Sequence, residues 1–101
     1  MQTAQEAQTI AHTIKGQIGQ MTLWSFAATE MTYYPETETV LGGLRFNFSN
    51  CPKIKKGTCE VLLMPDDTYS IIIRNHLDNV LFEAKGVYAD QLNEILMEKI
   101  G

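Results

Sequence analysis

The sequence predicts a single α+β domain over residues 1–101, an antiparallel meander of four to five strands with N-terminal and C-terminal helices packed on one face. Three observations carry this. Apolar residues near the N-terminus recur on a helical period. The middle of the chain breaks into short apolar or alternating blocks separated by turn residues. Helical spacing then returns at the C-terminal end.

The first helix starts at Thr3-Ala4-Gln5-Glu6, which has the form of a capping box: a hydroxyl accepts from the third helical amide and a carboxylate reaches back. Ala7, Ile10, Ala11, Ile14 and Ile18 follow at spacings of three and four, a narrow stripe for burial. Gly16 weakens the helix and Gly19 is its expected stop. From Met21 to Phe26 an alternation of aromatic and apolar residues predicts a strand, with Trp24, Phe26 and Ala28 on one face, extended or resumed at Met31–Tyr34. Leu44-Arg45-Phe46-Asn47-Phe48-Ser49 alternates cleanly, Leu44, Phe46 and Phe48 inward.

Residues 50–57 read as a loop, punctuated by Pro52 and Gly57 and crowded with lysine. Residues 59–64 and 69–74 are apolar on both sides and predict a central hairpin, turned at Pro65-Asp66-Asp67-Thr68. A last strand covers Val80–Ala84. Gly86 bends the chain, Val87 and Tyr88 fold over the core, and Asp90 sits in the first turn of a helix whose apolar positions are Tyr88, Leu92, Ile95, Leu96 and Ile100.

Composition bounds the function. Hydrophobic residues at 45% and charged residues at 20% describe an ordinary globular chain. The longest apolar runs fall far short of the roughly 20 residues a membrane span needs, so no membrane role is expected. The N-terminus has no basic start followed by an apolar block, which points to the cytoplasm, and there Cys51 and Cys59 are expected as free thiols. No catalytic constellation stands out, so an enzyme, a metal and a cofactor are not expected. His12, His76, Cys51 and Cys59 lack ligand spacing, and His12 lies about 200° from Ile10 on a helical wheel, on the solvated side. Asp66-Asp67 is turn chemistry, Ser25 and Ser70 lie in predicted strands without a glycine-flanked elbow, and Gly42-Gly43 runs into a strand rather than a phosphate loop.

Two surfaces suit a partner. Tyr33 and Tyr34 are paired aromatics beside an acidic loop, the kind of anchor favoured at protein interfaces. Arg45, Lys53, Lys55 and Lys56 hold half of the eight basic residues within twelve positions, on a chain of net charge −4. Such a cluster suits phosphates or an acidic protein.

The order of features, from KIKKGTCEVLLMPDDTYSIII to GVYADQLNEIL, resembles a family of small, uncharacterised proteins of bacteriophages, prophages and mobile elements. The matching positions are Lys56-Gly57, Val61 to Leu63, Asp67-Thr68-Tyr69 and Gly86 to Leu92, with Gln8 to Gly19 matching more weakly. The segment Leu23 to Ala28 departs from the family pattern. The resemblance implies a phage or mobile-element context in a bacterial cytoplasm. The expected function is a small non-enzymatic accessory protein, anti-defence in type, that binds a host or phage protein. The alternative is nucleic-acid binding through the Lys53–Lys56 loop. A ligand pocket or enzyme site using Asp67, Tyr69 and Tyr88 ranks below both, and an exposed sheet edge leaves room for homo-oligomers.

Overall fold

Strands β1 (Thr29–Tyr34), β2 (Gly42–Ser49), β3 (Lys56–Leu63), β4 (Tyr69–Asn75) and β5 (Val80–Val87) form one antiparallel sheet in the order β1-β2-β3-β4-β5. The structure, a computed structural model, describes residues 4–49 and 51–100. The central pair keeps an unbroken register, from Gly42 opposite Leu63 to Ser49 opposite Lys56. Both following hairpins use one kind of turn. Asp67 and Asp78 take the left-handed conformation, with φ of 69° and 68°, which a short polar side chain tolerates. Asp66 Oδ1 accepts from the Thr68 amide and hydroxyl, and Asn75 Oδ1 accepts from the Leu77 and Asn79 amides. The Asp66-Asp67 pair is thereby used up as turn chemistry.

Helix α1 (Ala4–Ile18) lies over β1 and β2, and α3 (Leu92–Lys99), entered through a 3-10 turn at Ala89–Gln91, packs beside it. Ala11, Ile14 and Ile18 from α1 and Leu92, Leu96 and Ile100 from α3 are buried with Leu44, Phe46, Phe48, Cys59, Val61, Ile71 and Ile73 from the sheet. The Thr3 cap and the Ala7 side chain lie outside the described residues. Tyr69 Oη donates to Gln17 Oε1 at 2.8 Å, fastening α1 to β4.

The structure corrects the strand expected at Met21–Phe26. Gln20–Ser25 is a short helix, α2, turned away from α1 at Gly19, whose φ of 100° is glycine territory. Alternation suits a strand only if Trp24 and Phe26 are both buried. In the helix Thr22, Leu23 and Phe26 turn inward, and Trp24 is left outside. The Thr22 hydroxyl and the last carbonyl of α1 then find one donor: Asn93 Nδ2 of α3 reaches Ile18 O at 2.5 Å and Thr22 Oγ1 at 2.6 Å. Ser25 is correspondingly helical, its hydroxyl donating to Thr22 O at 2.7 Å.

Two smaller differences lie at the C-terminal end. Strand β5 runs on to Val87 through a bulge that sets Ala84 opposite Ile71 and Val87 opposite Tyr69, with Gly86 at φ 67°. Past the bulge Val87 is buried as expected but Tyr88 is exposed. Its amide donates to Gln91 Oε1 at 2.9 Å, so the GVYADQL stretch works as a strand-to-helix junction.

Among the described residues, no helix covers the opposite face of the sheet. By alternation that face shows Arg45 and Asn47 from β2, Thr58, Glu60 and Leu62 from β3, and Ser70, Ile72 and Arg74 from β4. Glu60 is only 6% exposed, and Arg74 Nη1 donates to its Oε1 at 2.7 Å.

Replacing Arg74→Met strands a buried carboxylate and should cost about 3 kcal/mol, whereas Glu60→Leu with Arg74→Met should recover most of that in urea denaturation. Asn93→Ala leaves the Ile18 carbonyl and Thr22 hydroxyl unmatched. A loss of about 2 kcal/mol is expected by the same measurement.

Candidate functional site

The elbow at Gly19 sets α2 beside the outer flank of α1 and above the start of β1. Between the three elements lies an open cleft of about 780 Å³, lined by His12, Lys15 and Gly16 of α1, Gln20, Met21, Leu23 and Trp24 of α2, and Ala28 and Met31. A smaller hollow of about 170 Å³ continues it along β1, lined by Gln8, Ala11, His12, Lys15, Met31, Thr32, Tyr33 and Leu44. Trp24 is 77% exposed and Met21 75% exposed. Large apolar side chains displayed next to a concavity are features of binding surfaces, and tryptophan and methionine are enriched at interfaces.

Local sequence explains the display. On a helical period the buried set Thr22, Leu23 and Phe26 leaves Met21 and Trp24 pointing out together, three residues apart. The chain returns to the sheet through Ala27 and Glu30, both left-handed at φ 50° and 52°, a conformation costing roughly 1–2 kcal/mol for an L-residue. Glu30 is held there by Asn47 Nδ2, which donates to Glu30 Oε2 at 2.6 Å. Among the described residues no carboxylate lines either part of the cleft, and Lys15 is its cation, with the His12 ring beside it. A chain of net charge −4 therefore presents an apolar cleft with a basic rim.

The expected partner residues are dispersed. Tyr33 lies opposite Leu44 and lines the smaller hollow, whereas Tyr34 lies opposite Gly43 on the helix-free face. The two rings cannot act as one anchor. Arg45 and Lys56 share the helix-free face but stand four residues apart along β2 and its partner, roughly 13 Å. Lys53 has a structural use: its ammonium donates to the Glu98 carbonyl and its amide to Ile100 O at 3.4 Å, closing the C-terminal end of α3. Lys55 and Lys56 are exposed and make no ion pair among the described residues.

The reactive side chains are otherwise accounted for. Cys51 and Cys59 are free and buried. Burial pushes both thiols up, and for Cys59 the neighbouring Glu60 charge adds to it. Hydrogen bonds from Thr68 hold the Asp66 carboxyl below the usual range. Burial raises the Tyr69 phenol, its bond to Gln17 opposing this. His76 is exposed in the β4–β5 turn, and no three metal-ligating side chains gather among the described residues. No described helix is long and apolar enough to cross a membrane.

Comparison with protein-family models, curated proteins and solved structures gives no match. The cleft stands on its own geometry. The sequence pattern hides it, because the alternation of Met21–Phe26 predicts a strand that would bury Trp24. The available signal was Gly19, which permits a second helix directly after the first.

Both thiols titrate at higher pH in the folded chain than in the unfolded one, so the unfolded chain sheds protons first. Stability is therefore whole below about pH 8.5 and should fall as pH rises above it. Urea midpoints at pH 7 and pH 10 check this, and native thiols should react slowly with a disulfide reagent until denaturant is added.

Proposed function

We propose that the protein is a non-enzymatic binding module, a phage or mobile-element accessory protein in type, that captures a segment of a host or phage protein in the cleft between α1, α2 and β1. The observation that carries this reading is the outward display of Trp24 and Met21 over a concave, apolar floor. A tryptophan left in water on a folded domain forgoes the burial that most favours its side chain, and a partner can restore that burial. The chemistry of the surroundings agrees: both thiols are buried, and among the described residues no three metal-ligating side chains gather at the cleft or elsewhere.

Nucleic-acid binding is the weaker reading. Lys53 is committed to α3, and Arg45 and Lys56 are spread along the helix-free face without aromatic neighbours stacked between them.

Both exposed side chains can be removed without touching the core, so Trp24→Ala with Met21→Ala should leave stability within about 0.5 kcal/mol. The same variant should lose a nuclease-resistant partner captured from host lysate by the parent protein. Truncation of a central tryptophan weakens binding by about 2 kcal/mol or more, roughly thirtyfold. Equal capture by parent and variant overturns the reading. Capture that is nuclease-sensitive and lost in Arg45→Gln, Lys55→Gln, Lys56→Gln favours nucleic acid instead.

A further inference from the structure

We infer that the cleft takes a short extended peptide that joins the open edge of β1 as a sixth strand, with one bulky apolar side chain and, two residues along, an aspartate or glutamate. This rests on the binding-module reading and specifies its ligand.

The first ground is position. β1 is an end strand, so among the described residues its outer edge has no neighbour in the sheet. The larger part of the cleft and its smaller continuation succeed one another along that strand, sharing His12, Lys15 and Met31. β5, the other edge, is bulged on both sides of Phe82–Ala84. Neither cavity includes a β5 residue.

The second ground is period. Tyr33 pairs with Leu44 on the helix side of β1, Met31 shares that side by alternation and packs against the core, and both line the hollow together with Thr32 between them. A strand added at this edge presents its own alternate side chains on that side at a spacing of roughly 6.7 Å. One enters the larger part against Met21, Trp24 and Met31, and the next enters the smaller part. Glu30, in the left-handed region, and Pro35 bound the regular edge, so the added segment is short.

The third ground is charge. Beside Ala11, Met31 and Leu44, the smaller part is lined by side chains that can donate hydrogen bonds, Gln8, His12, Lys15, Thr32 and Tyr33, and among the described residues by no carboxylate. The Lys15 ammonium makes no ion pair among the described residues. An incoming carboxylate meets a basic rim, while a lysine or arginine at that position meets repulsion. Main-chain hydrogen bonds to the edge then supply affinity, and the two side chains supply specificity.

Trp24 is the single tryptophan and reports on the cleft by its own emission. The probe is a panel of capped hexapeptides of threonine, with leucine, isoleucine, methionine or phenylalanine at the second place and aspartate or glutamate at the fourth. At least one peptide should shift the Trp24 emission to the blue with saturation. Glutamine in place of its acid should weaken binding at least tenfold. Lys15→Gln should weaken the acidic peptide by a similar factor and leave the glutamine peptide unchanged. Methylating the second, fourth and sixth amides, or the first, third and fifth, should abolish binding for one set and spare it for the other, because only one set faces β1.

Saturable binding that tolerates both methylated sets overturns strand addition, and binding indifferent to the acid or to Lys15 overturns the charge reading. A panel without any saturable shift overturns the inference as a whole. If a lysate partner still depends on Trp24 in that case, the binding module stands and its ligand is of another form.

Discussion

One side-chain amide holds the wall of the cleft in place. Asn93, on α3, donates to the end of α1 and to the start of α2 at once, across 75 and 71 residues of sequence. A helix of six residues has little stability of its own, since nucleation is costly and few hydrogen bonds repay it. α2 persists because Leu23 and Phe26 are buried beneath it and because Asn93 fixes its entry angle. Everything on its outer side, Trp24 included, inherits its position from that bond.

Most of the fold was legible because most of it obeys simple periods. Phe46 and Phe48 are buried as alternation requires, Ile14 and Ile18 as a helical stripe requires, and the Asp66 turn follows its residue types. The elbow was not legible for a physical reason. In Met21–Phe26 both a strand and a helix bury a reasonable apolar set, and the decision falls to Asn93, far along the chain and unremarkable in sequence. The error over α2 hid the cleft, since a buried Trp24 is core and an exposed one is a surface feature. Lys53 teaches the same lesson from the other side: a lysine in a basic run reads as a free charge until the carbonyl end of α3 arrives beside it.

The two faces of the sheet are built on different physics. The helix side is a close-packed apolar layer, tight enough that a Cβ on Gly57 would stand 2.0 Å from the Arg74 carbonyl oxygen and 2.9 Å from the Phe48 ring. The other side is held by cross-strand polar partners, Glu30 with Asn47, Asn47 with Thr58, and Glu60 with Arg74. Such a face needs no cover, because its polar atoms are matched in place. It leaves the helices free to crowd over β1 and β2, and that asymmetry creates the overhang under which the cleft lies.

The connectivity also orders events during folding. Every pairing in the sheet joins strands that are neighbours in sequence, so the meander closes through short loops at small entropic cost. The elbow closes only when Asn93 returns across most of the chain. A nascent chain can therefore assemble its sheet well before α2 is seated, and the surface displaying Trp24 is among the last parts of the molecule to take shape.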